Sequence, residues 1–113
     1  MSQITTHVLD TSKGVPAKGI EITLEGITVT GNWAEIGTGI TDEDGRISDL
    51  LDSDTTLDPG TYRMVFQTGF YFSSQDITGF YPSVTIVFAT EDTSHYHIPL
   101  LLNPFGYSTY RGS

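Results

Sequence analysis

The feature that most limits how this 113-residue chain can fold is a two-residue rhythm. In Ile20-Glu21-Ile22-Thr23-Leu24-Glu25, aliphatic residues take every second place and polar residues fill the gaps. Tyr62, Met64 and Phe66 repeat the pattern, and so do Val84, Ile86 and Phe88. Successive side chains of a strand point to opposite faces, so each run suits a strand with one apolar face. Turn signals separate the runs: Lys13-Gly14, residues 42–45, Asp58-Pro59-Gly60, residues 90–92 and Asn103-Pro104. The pattern predicts about eight strands, over 5–9, 20–26, 32–40, 46–47, 60–68, 83–89, 95–101 and 106–110. Residues 70–78 break the alternation and carry Ser73, Ser74, Gln75 and Asp76, which suits one short helix. Many short strands with regular turns predict an all-β sandwich. No linker or repeat divides the chain, so residues 1–113 read as a single domain.

Charge narrows the function. Fourteen Asp and Glu face five Lys and Arg, a net charge of −9 with His neutral. A basic stripe able to neutralise phosphates is missing, which argues against nucleic acid. Attraction to an anionic membrane surface is equally disfavoured. The absence of Cys removes thiol nucleophiles, disulfides and Cys-ligated metals. Residues 1–10 show neither a basic region nor a long apolar run, and no stretch reaches the ~20 apolar residues of a spanning helix. The expectation is a soluble protein in the cytoplasm. A chain this short has little room to enclose a deep site alone.

Three histidines can be weighed singly. His7 lies mid-strand, where a partly buried imidazole with one hydrogen bond is the plain reading. His95 and His97 flank Tyr96, so the two-residue period puts them on one face. That spacing lets two imidazoles converge on an ion, but the pattern supplies no clear third ligand. The run Asp42-Glu43-Asp44-Gly45-Arg46 reads as a tight turn, with Gly45 free to take a positive φ. Its carboxylates lack the alternation and closing Glu of a calcium loop. Arg46, just past the turn, is the residue of that run expected to face something. The segment Tyr107-Ser108-Thr109-Tyr110-Arg111-Gly112-Ser113 carries aromatic and basic groups, which suits a docked segment rather than a frayed one.

Five fragments occur in order: Thr6-His7-Val8-Leu9-Asp10; Asp44-Gly45-Arg46; Phe80-Tyr81-Pro82; His95-Tyr96-His97-Ile98-Pro99-Leu100-Leu101-Leu102-Asn103-Pro104; and the segment from Tyr107 to Ser113. Together, and over the whole chain, they resemble the transthyretin-like family. Tyr110-Arg111-Gly112-Ser113 is the specific part, because it resembles the family's 5-hydroxyisourate hydrolase branch rather than its thyroid-hormone carriers. The resemblance implies a prealbumin-like sandwich of two four-stranded sheets with one short helix. It implies a homotetramer, a dimer of dimers, with sites in the channel between dimers. It implies hydrolysis of 5-hydroxyisourate to 2-oxo-4-hydroxy-4-carboxy-5-ureidoimidazoline in urate degradation, with no metal and no cofactor. The catalytic residues it implies are His7, Arg46 and His97, and the substrate-binding residues are Tyr110, Arg111, Gly112 and Ser113. His95 keeps a structural reading.

Opening a ring amide needs a base for water, a cation for the oxyanion and a proton for the leaving nitrogen. Histidine suits the first task because its ordinary pKa of ~6.5 lies near working pH. Arginine suits the second because it is permanently charged and offers several N–H donors. Which histidine acts as base stays open at this stage. Two other readings are a non-catalytic carrier of small aromatic molecules and a purely structural sandwich domain.

Overall fold

The computed structural model describes residues 2–113. Eight strands and one helix follow in order: β1 (Ile4–Asp10), β2 (Val15–Pro16), β3 (Glu21–Ile27), β4 (Trp33–Ile40), β5 (Gly60–Phe66), α1 (Thr68–Ser73), β6 (Val84–Thr90), β7 (Tyr96–Asn103) and β8 (Gly106–Thr109). They form two four-stranded sheets, ordered β2-β1-β7-β8 and β4-β3-β5-β6. The two-residue rhythm is what joins them. Ile22, Leu24, Met64 and Phe66 from one sheet and Val8 and Leu100 from the other are fully buried in one shared core. Removing that apolar surface from water is the main stabilising contribution.

Seven predicted strands are present within a residue or two of their expected bounds. The strand predicted at 46–47 is not. Arg46 makes an isolated antiparallel bridge to His7 and goes no further. Its own backbone is spent closing the turn: its N–H donates to Asp42 Oδ1 at 3.0 Å, and its carbonyl accepts from the Asp42 N–H at 2.8 Å. The eighth strand is instead β2, which pairs Pro16 with Leu9 at the sheet edge. A proline is tolerated at an edge because its missing N–H interrupts no interior ladder.

The helix begins at Thr68 and ends at Ser73, earlier at both ends than the 70–78 expected. Its first turn lies against Pro82, where a Cβ on Gly69 would stand 2.6 Å from the Pro82 carbonyl oxygen. Asp76, with φ 57°, then turns the chain out of the helical path. The helix buries Thr68, Tyr71 and Phe72, the spacing of a one-sided amphipathic turn. Tyr71 donates its hydroxyl to Asp10 Oδ2 at 2.7 Å, pinning the helix to the end of β1. Burial and that bond push the Tyr71 hydroxyl up to about 12.

One pairing decides where chemistry can sit. β1 and β7, at the centre of their sheet, run parallel, with Thr5 opposite His97 and His7 opposite Pro99. Inward go Ile4, Thr6, Val8 and Asp10, all buried. Outward go Thr5 and His7 from β1 and His97 from β7. The outer face of this sheet therefore gathers residues some 90 positions apart in sequence.

Candidate active site

The turn at residues 42–46 delivers Arg46 to that outer face. Asp42 Oδ1 accepts the Asp44 and Arg46 N–H groups, and the Gly45 N–H donates to the Asp42 carbonyl. Gly45 has φ +74°, and a Cβ there would stand 2.4 Å from the Val8 carbonyl oxygen. Only glycine meets both demands. The Val8 N–H then donates to the Gly45 carbonyl at 2.9 Å, locking the turn to β1.

Arg46, Thr5, His95, His97 and Ser113 share the wall of an open cleft of about 530 Å³ with Asp42. That volume lies in the range that takes a small heterocycle. Thr5 Oγ1 lies 2.8 Å from His97 Nδ1 and 2.7 Å from His95 Nε2. Nε2 of His97 has no partner among the described residues, so it is the ring nitrogen available to a ligand. Burial holds the His97 pKa below its ordinary value, and Coulombic interactions with His95, His7 and Arg46 push the same way. His97 is therefore a neutral imidazole at neutral pH.

Arg46 is held in reserve. Lys18 pairs with Glu43 and Arg63 with Glu25. Lys13 donates to Gln75, and the Arg111 guanidinium lies 4.5 Å from the centre of the Tyr96 ring. Among the described residues, Arg46 alone of the Lys and Arg side chains has no ion pair, hydrogen-bond partner or aromatic platform. An unneutralised guanidinium beside a neutral imidazole can stabilise an oxyanion while the imidazole accepts a proton.

The last residues reach the site as an interrupted continuation of β8. Pro99 has no N–H to offer its neighbour, and regular pairing stops at Thr109. It resumes where the Gly112 N–H donates to the His97 carbonyl at 2.8 Å. A Cβ on Gly112 would stand 2.5 Å from Cδ2 of the His97 ring, so the absence of a side chain lets this segment press on the imidazole. Tyr110 and Arg111 face a second, more apolar hollow of about 340 Å³, lined also by Ile86, Phe88, Tyr96 and His97.

The sequence-derived residues are thus distributed rather than gathered at one point. Arg46, His97 and Ser113 line the cleft, and Gly112 touches His97. His7 lies beside them on the outer face, bridged to Arg46 by backbone pairing and felt by His97 as a charge. Tyr110 and Arg111 lie on the far side of His97. Thr5 went unremarked in the sequence, where nothing marks it among so many threonines; only the parallel register sets it opposite His97. Among the described residues no group of three or more His, Cys, Asp or Glu side chains is placed to hold a metal ion.

A family model described as the HIUase/Transthyretin family matches residues 4–112. The chain belongs to that family. Among curated HIUase/Transthyretin relatives, it is 48% identical over 113 residues to a probable 5-hydroxyisourate hydrolase of Caenorhabditis elegans, covering 99% of this chain and 82% of that one. It is 43% identical over 114 residues to the 5-hydroxyisourate hydrolase of Mus musculus, covering 99% and 96%. Among solved structures of the family, it superposes on the 5-hydroxyisourate hydrolase of Klebsiella pneumoniae with a TM-score of 0.85 at 33% identity, covering 97% and 98%. It also superposes on sea bream transthyretin in complex with thyroxine, with a TM-score of 0.92 at 33% identity, covering 98% and 95%. The HIUase/Transthyretin backbone thus occurs in both a 5-hydroxyisourate hydrolase and a thyroxine-bound transthyretin, and side chains must discriminate between them.

Proposed function

We infer that this protein is a 5-hydroxyisourate hydrolase of urate degradation, opening the six-membered ring to give 2-oxo-4-hydroxy-4-carboxy-5-ureidoimidazoline. The observation that carries the reading is the uncommitted Arg46 guanidinium in one cleft with a neutral His97 whose Nε2 is free. His97 Nε2 takes a proton from water, and the hydroxide attacks the carbonyl carbon of the N1–C6 bond. Arg46 holds the oxyanion that forms. The bond to nitrogen then breaks, and the departing nitrogen takes the proton back from His97. His7 orients the water from the neighbouring strand position. Gly112 and Ser113 border the ring, and Tyr110 and Arg111 close the site from beyond His97.

The cleft is open on its solvent side, so a second copy of the chain is the natural cover. A dimer of dimers with sites between the dimers fits this shape. The outer strands β6 and β8 are unpaired edges that could extend each sheet into a neighbour. Light scattering should give four times the 12.4 kDa chain mass. A monomer at working concentration would sink the shared-channel site. No helix among the described residues is long and apolar enough to cross a membrane, and a cytoplasmic location is the corresponding proposal.

The carrier reading draws on the close superposition with sea bream transthyretin. It gives no role to an unneutralised arginine beside a neutral histidine. The deciding assay follows freshly generated 5-hydroxyisourate by ultraviolet absorbance. Added protein should shorten its lifetime well below the spontaneous value; an unchanged decay would leave the carrier and structural readings.

A further inference from the structure

Thr5 stands at a position that the hydrolysis as described does not use. Its hydroxyl lies between two imidazole nitrogens, 2.8 Å from His97 Nδ1 and 2.7 Å from His95 Nε2. The two rings are 6.3 Å apart and nearly parallel, at 22°, with that one oxygen reaching both. A hydroxyl has a single proton. It can donate to one of these nitrogens, and from the other it must accept. With both rings neutral, one of the two facing nitrogens therefore carries a proton and the other does not. The tautomers of His95 and His97 are locked together.

We propose that Thr5 is a positioning residue that couples His95 to His97 in a proton relay and sets the tautomer in which His97 is a base. The assignment rests on the hydrolase reading for its direction. A base at Nε2 must carry its resting proton on Nδ1. That Nδ1–H donates to Thr5, and Thr5 donates in turn to His95 Nε2, leaving the His95 proton on Nδ1. When water gives a proton to His97 Nε2, the Nδ1 proton passes to Thr5 and the Thr5 proton passes to His95. His97 stays neutral, Thr5 recovers its hydroxyl, and the positive charge rests on His95. His95 is the exposed member of the pair, where water solvates that charge. It also moves one ring further from substrate and Arg46. When the carbon–nitrogen bond breaks, the same transfers run backward. Nε2 gives its proton to the departing nitrogen, and Nδ1 is refilled through Thr5. One proton leaves water and one reaches nitrogen, with none gained or lost by the protein.

Local structure supports the geometry. Thr5 and His97 are direct partners in the parallel register, and His95 shares the face of His97 two residues earlier. Gly112 presses the opposite flank of the His97 ring, so the imidazole is confined between the hydroxyl and the Gly112 backbone.

The test is Thr5→Val, which keeps shape and β-branching and removes only the hydroxyl, with Thr5→Ser as the variant that restores it. Nitrogen-15 spectra of labelled protein separate protonated from bare ring nitrogens. Wild type and Thr5→Ser should show both histidines with the proton on Nδ1, and Thr5→Val should lose that state at His97. With substrate, Thr5→Val should lower kcat by about 10-fold or more, in the range for impaired acid–base catalysis, with KM little changed and unfolding midpoint preserved. Thr5→Ser should recover most of the rate. Unchanged His97 tautomer in Thr5→Val, or a Thr5→Ser variant as slow as Thr5→Val, would overturn the relay. If wild type itself fails to accelerate decay, the hydrolase reading fails, while the spectra still decide whether Thr5 couples the two rings.

Discussion

Arg46 and Arg63 lie on opposite outer faces of the sandwich, and the protein treats them in opposite ways. Arg63 on β5 stands directly opposite Glu25 on β3 and bonds it at 2.6 Å. Its guanidinium also lies 4.3 Å from the centre of the Trp33 ring. Its charge is paired within the sheet and one face of its guanidinium is covered, so this arginine is committed to the fold. Arg46 leaves its turn with the backbone fully bonded and the side chain unpaired, beside a histidine kept neutral. The difference shows that a cation becomes a site when the fold supplies its scaffold from the backbone and withholds a carboxylate from its head. In a chain of net charge −9, withholding that partner is the unusual step.

The sharpest way to break this comparison is to remove each guanidinium in turn. Arg46→Gln should lower kcat/KM toward 5-hydroxyisourate by about 100-fold or more, the scale of losing an oxyanion partner. Arg63→Gln should stay within about twofold of wild type. Equal losses in the two variants would erase the distinction. A smaller effect is expected from Gly112→Ala, whose new methyl must displace the His97 ring. Its kcat should fall about 10-fold, because a misplaced base loses alignment with water. An unaltered rate there would show that the ring has room to move.

The pH profile sharpens the same contrast. His97 has a lowered pKa in the folded protein, so its neutral form is present above that value and is lost as pH falls through it. The acid limb of kcat/KM should lie below pH 6.5. The charged and titratable groups around His97 are His95, His7, Arg46 and Asp42 on the cleft side and Glu91 and Arg111 on the side of the second hollow. His95→Gln removes a Coulombic interaction that lowers the His97 pKa and should move the limb upward; a downward shift would contradict the electrostatics. The mildest effect belongs to the satisfied arginine. Arg63→Met should reduce stability by about 1 kcal/mol, typical of a partly exposed ion pair with an aromatic contact. Urea unfolding measures it, and a loss of several kcal/mol would mean that Arg63 holds more than its own sheet.

Much of this architecture was legible in the sequence, for a physical reason. A two-residue period can satisfy only a strand, so Ile22, Leu24, Met64 and Phe66 declared both their structure and their burial. The failure at residues 46–47 is equally instructive. Asp42 takes both backbone groups of Arg46 into the turn, the Gly45 carbonyl makes the bond to β1, and side-chain capture of a backbone N–H leaves little trace in a hydropathy pattern. Ile47 is buried as a strand residue would be, but without a ladder. At the site, His7, Arg46 and His97 were named by family resemblance rather than by spacing. Thr5 could not be, because its significance comes from standing opposite His97 in a parallel pairing. Strand register across 92 residues is a property of the folded sheet.

That same pairing has a kinetic meaning. β1 is synthesised some 90 residues before β7, so the surface bearing Thr5, His7 and His97 cannot exist until β7 has been made. Parallel pairing over such a separation is slow, since a long loop must close before its contacts repay the lost entropy. Catalytic competence should therefore return in step with the slowest phase of refolding, and a partly folded chain should be wholly inactive.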